Sequence, residues 1–429
     1  MQKGSSRVPA VSTVFYGYWI IAVSTLAMML SNGFSIGGLP AFYPEMLKEM
    51  GGLGQAPSIA FASATTFVLS GLLSPVAGNL LRRMNLKLFM TIGCVLLGLA
   101  LILYSQALVR QQIYAAHILF GLTLCFVSLI PNMVLMSNWF RKQRGTAIGI
   151  VVTGTSLGTV VIPMVASPLI RHFGWRSAML MMSASVWVLL LPAIWLIVKV
   201  HPQEVGQLPD GETQIDEVSP TSPAPETLPG MTLDEALHTP LFWIFSVCAM
   251  MLFYAILAVV QQLIVFLTSP QIGMSGDAAR WVQSLMGIAS IGGKLLFGVA
   301  SDKWSRPKVN AACCAILALG CLMLPFLNSG NATTFAVLFG LGYGGAFVTI
   351  QLLVAECFGL RDLGRIIACI AVIETAGGAF GNIITGEIAR RAGSYVVAYY
   401  GVIIASFISF LSGLLLARSM PSGNKGRTL

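Results

Sequence analysis

The chain has 429 residues, 56% of them hydrophobic and only 10% charged, with a formal net charge of +9. So little polar surface cannot cover a water-soluble fold, whereas the recurring apolar runs of about 20 residues are long enough to cross a bilayer as helices. A soluble enzyme is thereby excluded. Nucleic-acid binding is not expected either, because the bases are scattered through short loops instead of gathered on one face.

In chain order, the apolar runs predict spans at 17–45, 57–81, 86–107, 111–136, 145–170 and 175–199, then at 241–268, 278–300, 308–327, 332–357, 364–389 and 395–417. The expected fold is an all-α polytopic membrane protein: twelve transmembrane helices, arranged as two six-helix pseudo-repeats around a central cavity. Residues 1–13 lead into the first span without a cleavage site of small residues, so that span is expected to be retained. Alternating loops put 17 bases on one side, including Lys3, Arg7, Arg82, Arg83, Arg144, Lys303 and Arg306, against seven on the other. The positive-inside rule then predicts cytoplasmic termini in a multi-pass protein of the cell (inner or plasma) membrane.

Residues 1–199 form the first predicted bundle and 241–429 the second. Between them, 200–240 carries eight acids, no Lys or Arg, and six prolines from His201 to Gly230. That composition forbids a packed core and predicts a solvated cytoplasmic linker. Thr232-Leu-Asp-Glu235 is a capping-box pattern and predicts a short interfacial helix ahead of the seventh span. The halves repeat at an offset of 220, so that Gly78-Asn-Leu-Leu-Arg82-Arg83 falls on Gly298-Val-Ala-Ser-Asp302-Lys303. Two parallel repeats joined by a cytoplasmic linker predict a transporter with its site between the halves, near the midplane.

Motifs of soluble chemistry are better read as packing. Gly154-Thr-Ser156-Leu-Gly158 resembles a nucleophile elbow, but it falls within the fifth span with no strand before it. Gly340-Leu-Gly342-Tyr343-Gly344-Gly345 has dinucleotide-loop spacing, yet it lies inside the tenth span. Both are expected to let helices approach closely. The eight cysteines sit in apolar segments without metal spacing. No enzymatic role, cofactor or metal is expected.

Two charges within the spans matter most. Lys294 lies eight residues before Asp302, roughly 12 Å inside the membrane face. A lysine at that depth costs on the order of 2.5–3.5 kcal/mol on insertion scales, so it needs a partner or a purpose. Glu374 lies nine residues inside Arg365, at a similar depth in the eleventh span. One reading of this pair is a buried ion pair that fixes packing; the favoured one is a substrate or ion path. Glu387, close to Arg390 and Arg391, reads as a surface ion pair. Asn32, Thr65, His117, Asn132, Gln261, Gln262 and Gln351 each read more naturally as packing residues than as ligands.

Three motifs carry a resemblance. Gly298-x-x-x-Asp302-Lys303-x-x-Arg306 resembles the conserved loop between the second and third helices of a major facilitator half. Asn138-Trp139-Phe140-x-x-x-Arg144-Gly145-x-Ala147-x-Gly149 and Leu233-x-Glu235-Ala236-Leu237-x-Thr239-Pro240-x-Phe242-Trp243 are similar to the oxalate/formate antiporter and monocarboxylate transporter branch of that superfamily. The resemblance implies gating roles for Gly78, Arg82, Arg83, Gly298, Asp302, Lys303 and Arg306, with Glu356 in a gate network alongside Arg144. Arg82 departs from the pattern, standing where the family has an aspartate. The resemblance also places Tyr343 and Phe347 among pocket aromatics. Oxalate carriers have two cations where this chain has Lys294 and Glu374, so oxalate is a poor candidate.

The resulting expectation is a proton-coupled secondary carrier of a small organic acid, a monocarboxylate by preference. Lys294 would hold the carboxylate, and protonation of Glu374 would free Lys294 from its neighbour. A zwitterionic substrate spanning both residues, carboxylate-for-carboxylate antiport, and a non-transporting receptor or scaffold are the alternatives. The partners expected are the substrate, protons and the lipid bilayer.

Overall fold

Gly17–Asn32 forms α1, and the first span then departs from the expected single helix. A wide π-helical turn at Gly33–Gly37 and a tight turn at Leu39–Phe42 lead into α2, Tyr43–Glu49. Gly33, Gly37, Gly38 and Pro40 explain the break: glycines weaken the helix and a proline removes a backbone donor. The computed structural model describes residues 15–49, 56–81, 83–140, 143–211, 230–359 and 361–419; at 56–58, 144, 145, 211, 302 and 364 it describes the backbone alone.

Next come α3 (Ala56–Leu81), α4 (Leu86–Ser105) and α5 (Arg110–Val127). The fourth span breaks at Ser128 (φ −89°, ψ −124°) before α6, Leu129–Trp139. Pro131 cannot donate to the Val127 carbonyl one turn back. Asn132 Nδ2 takes over, donating to the carbonyls of Val127 and Ser128 at 3.0 and 2.6 Å, while Asn32 Nδ2 reaches Ser128 Oγ at 2.8 Å. Freed backbone at membrane depth is thus satisfied by side chains.

Helix α7 runs from Arg144 to Pro192, 49 residues interrupted at Gly174, whose φ of 76° suits glycine. Among the described residues 11 stretches are long and apolar enough to cross a membrane, and Thr146–Ile197, broken at Gly174, accounts for two crossings. The expected twelve are present. The second half comprises α8 (Leu233–Leu237), α9 (Pro240–Leu267), α10 (Gly276–Lys303), α11 (Arg306–Leu322), α12 (Ala332–Phe358), α13 (Leu363–Ala392) and α14 (Tyr395–Ser419).

The capping box of α8 is formed: Thr232 N donates to Glu235 Oε2 at 2.8 Å and Glu235 N to Thr232 Oγ1 at 3.2 Å. This segment is tied to the second half, Met231 N donating to Phe358 O at 2.8 Å and Leu233 N to Asp362 Oδ2 at 3.1 Å. The hydrogen bond from Thr232 N, with a smaller contribution from Arg361 at 3.8 Å, holds the exposed Glu235 carboxyl below its ordinary range. The front of the linker is tied to the first half instead, with Asn138 Nδ2 on Val200 O and Trp139 Nε1 on Lys199 O at 3.1 and 2.8 Å. Residues 212–229, most of the acidic, proline-rich stretch, lie outside the described residues.

The glycine clusters serve packing. A Cβ on Gly340 or Gly344 would run into the carbonyls of Met286 and Ser290, so α12 lies directly on α10. One on Gly154 or Gly158 would meet the carbonyls of Thr25 and Met29 on α1. The eight cysteines are free.

Two antiparallel seams join the halves. Along α7 and α10, Arg171 Nη1 lies 3.6 Å from Asp277 Oδ2, Ser284 Oγ donates to Val160 O at 3.0 Å, and the hydroxyls of Ser156 and Ser290 are 3.1 Å apart. The last rung is Lys294 Nζ on Thr155 Oγ1 at 2.7 Å. One to two turns on, a side chain at Gly149 or Gly298 would meet nothing within 4 Å. Along α3 and α13, Asn382 Nδ2 donates to Ala60 O at 3.1 Å and to Ser63 Oγ. Gly71 then abuts Thr375, and by Gly78 nothing lies within 4 Å. The halves therefore meet on one side and part on the other, opening toward the side that carries Arg83, Lys303, Arg306 and Arg361.

Candidate functional site

Lys294 and Glu374 sit where the two seams end, at the apex of the opening. Lys294 is 4% exposed. Beyond Thr155 its ammonium has Val152 O at 3.5 Å and the Phe347 ring centroid at 5.0 Å. Phe347 packs edge-on to Tyr343, centroids 6.3 Å apart, and lies 5.9 Å from Phe253. A ring face, a hydroxyl and a carbonyl partly compensate the cation without neutralising it.

Glu374 is 6% exposed, and both its oxygens accept from Gln351 Nε2, at 3.2 and 3.3 Å. Gln351 follows Phe347 by one turn of α12, about 6 Å along the axis. The wall of α12 thus holds the cation at one turn and the carboxylate at the next. The two do not form the buried ion pair that was the less favoured reading of the sequence: Gln351 occupies the carboxylate and Phe347 covers the ammonium. Burying charges without opposite charge beside them is costly. A ligand's anion would relieve Lys294; a proton or a ligand's cation would relieve Glu374.

The described residues assigned to gating lie at the mouth of the opening. Gly78 and Gly298 face open space, and Arg83 and Lys303 are exposed. Arg306 Nη1 lies 3.6 Å from Glu356 Oε2, within the second half. Arg82 is outside the described residues, as are the side chains of Arg144 and Asp302.

The closed side contains a cluster that sequence reasoning missed. Arg280 of α10, only 3% exposed, donates from Nε to Ala41 O at 2.9 Å, from Nη2 to Glu45 Oε1 at 3.3 Å and from Nη1 to Asp277 Oδ1 at 3.2 Å. Nearby, Gln283 Nε2 donates to Gly37 O at 3.1 Å and Tyr43 OH to Gln261 Oε1 at 3.3 Å. Arg280 reads from sequence only as one far-side base. Asp277-x-x-Arg280 at the start of a span was the available signal, but its first-half partners are non-local. At the same end Arg176 Nη2 lies 2.7 Å from Glu49 Oε1, and this bond with that from Trp175 holds the Glu49 carboxyl below its ordinary range.

The other polar candidates are occupied in packing. His117 is buried between Thr66 Oγ1 at 2.9 Å and Tyr104 OH at 3.5 Å. Gln262 Nε2 donates to Asn382 Oδ1 at 2.7 Å and Thr65 Oγ1 to Phe61 O at 3.0 Å. Glu387 pairs with Arg390 and Arg391 at 2.5 and 2.6 Å, as expected. Among the described residues no group of His, Cys, Asp and Glu could hold a metal ion.

A family model described as Major Facilitator Superfamily matches residues 21–271 and 262–428. The chain is 25% identical to monocarboxylate transporter 12 of Xenopus laevis, over 80% of this chain and 76% of that one. It is 23% identical to the agnestins efflux protein of Paecilomyces divaricatus, over 80% of this chain and 74% of that one. Among solved structures, a bacterial homologue of the human lysosomal transporter Spinster, inward-facing and unoccupied, superposes with a TM-score of 0.71. It shares 15% identity, covering 96% of this chain and 100% of that one.

Proposed function

The chain belongs to the Major Facilitator Superfamily, and from that premise we propose that it is a proton-coupled secondary carrier of a small organic anion, a monocarboxylate by preference. The observation that carries the proposal is Lys294: a buried ammonium at the apex of the opening, held by a hydroxyl, a carbonyl and a ring instead of a carboxylate. A point charge of this kind receives an anion. Tyr343 and Phe347 supply an apolar wall for the rest of the substrate. The similarity to monocarboxylate transporter 12 supports the substrate class.

The halves rock about the apex, exchanging the seams at one end for contacts at the other. With the basic side taken as cytoplasmic, the present conformation is open to the cytoplasm. Glu374 sets the charge of the apex. Ionised, it makes the pair net zero; protonated, it leaves the single charge of Lys294, so anion and proton load together.

A second reading is favoured by the unpaired state of the two residues. A zwitterion could place its carboxylate on Lys294 and its cation on Glu374, one helical turn away. Glu374→Gln separates the two. Under proton coupling, wild-type anion affinity rises as pH falls, because protonation removes the opposing charge. The Gln variant then binds at neutral pH at least as tightly as the wild type, because it carries no opposing charge beside Lys294. Proton-driven accumulation is lost while substrate exchange survives. Binding lost at every pH would reject the proton switch in favour of the zwitterion, and proton-driven uptake retained by the variant would place the coupling residue elsewhere.

A further inference from the structure

We infer that Thr155 is the positioning residue of this site, a first-half hydroxyl that aims the second-half ammonium of Lys294 and links anion occupancy to the α7–α10 seam. This rests on reading Lys294 as the anion receptor. The geometry of the hydroxyl is directional. Thr155 Oγ1 donates to Val152 O at 3.0 Å, which turns its lone pairs toward Lys294 Nζ at 2.7 Å. An ammonium has three N–H donors. Thr155 takes one and Val152 O lies at 3.5 Å, which leaves donor capacity for a carboxylate.

Position in the seam gives this bond its consequence. It is the last rung before the helices part at Gly149 and Gly298, and it is shorter than the 3.0 and 3.1 Å rungs behind it. A carboxylate that pulls on Lys294 therefore pulls on the edge of the closed interface, where the least packing has to yield. The internal repeat sharpens the point. Thr375 is the counterpart of Thr155 at the repeat offset of 220, and it ends the α3–α13 seam in the same way. Its hydroxyl is spent on Ala371 O at 2.6 Å, and it packs against Gly71. The two threonines thus close equivalent seams, and Thr155 differs in reaching a cation on the other half.

The test uses the full-length protein in detergent and in proteoliposomes, probed with lactate, pyruvate and benzoate. Thr155→Val keeps the shape and removes the acceptor; Thr155→Ser restores the hydroxyl. For the probe that stabilises the wild type most, Thr155→Val should raise KM and Kd about tenfold, equivalent to about 1.4 kcal/mol. Maximal counterflow should fall as well, because the occupied site loses its link to the seam, and Thr155→Ser should restore both binding and counterflow. Separately, Thr155→Val should lower the melting temperature when Lys294 is present and leave it unchanged in a Lys294→Met background, since only a buried ammonium suffers from the missing acceptor. Unchanged affinity in Thr155→Val, equal damage from Thr155→Ser, or the same loss of melting temperature in both backgrounds would overturn the inference. Failure of all three probes to bind the wild type would overturn the anion reading instead, and the melting-temperature comparison would still decide whether Thr155 holds Lys294.

Discussion

Lys294→Ala is expected to weaken carboxylate binding by roughly a hundredfold, the scale set by about 2–5 kcal/mol for removing one member of a buried charge-assisted contact. The protein should still insert and fold. Lys294 is 4% exposed and has no anionic partner among the described residues, so truncation removes a desolvated charge instead of stranding one. Insertion scales price such a lysine at about 2.5–3.5 kcal/mol, so the variant should melt no lower than the wild type. Ligand-induced thermal stabilisation checks both statements: the shift with a bound monocarboxylate disappears while the unliganded melting temperature holds. A folded variant that keeps wild-type affinity would remove Lys294 from the site.

Arg280→Ala should act on the conformational equilibrium and leave the site itself intact. Arg280 joins α10 to Ala41 and Glu45 of the first half and to Asp277 of its own helix, and it is 3% exposed. Its carboxylate partners are 27% and 46% exposed and partly rehydrate when it is removed, so the loss is smaller than for a fully buried network. Charge-assisted hydrogen bonds on this scale total on the order of 2 kcal/mol, which is a roughly thirtyfold shift away from closure on this side. Ser284 lies inside the closed seam, bonded to Val160 O. With Cys369, the one of the eight cysteines that is not buried, replaced by Ser, a cysteine probe introduced as Ser284→Cys should react with maleimide roughly thirtyfold faster once Arg280 is alanine, because the rate follows the open population. An unchanged labelling rate would show that the cluster does not hold this side shut.

Elements whose signal is local were legible in the sequence. Twelve spans follow from apolar length, the capping box at Thr232 from a four-residue pattern, and the packing glycines from falling inside spans with no strand before them. The depth of Lys294 and Glu374 could be counted from the ends of their helices. Their partners could not. Thr155 is 139 residues from Lys294, and the hydroxyl that holds the ammonium is an ordinary span threonine. Gln351 was one of several polar candidates, and nothing local marked it as the residue that takes both Glu374 oxygens.

The same limit hid the Arg280 cluster, whose first-half partners lie 235 and 239 residues away. Breaks inside spans were partly visible: Pro131 and the glycines from Gly33 to Gly38 predict weak points. Whether such a point bends or breaks depends on whether something else satisfies the freed carbonyls, as Asn132 does at Val127 and Ser128. The family motif at 298–306 was readable residue by residue. Its gating partners were not, and Arg306 meets Glu356 within its own half.

Counterflow tests most directly the claim that this protein carries a small organic anion on Lys294. Proteoliposomes are loaded with an unlabelled monocarboxylate, diluted into trace label, and followed over time. The account predicts that at least one monocarboxylate gives a transient accumulation of label above equilibrium, and that the accumulation is absent with Lys294→Ala. No counterflow for any monocarboxylate tried, or an undiminished overshoot in the Lys294→Ala protein, would contradict it.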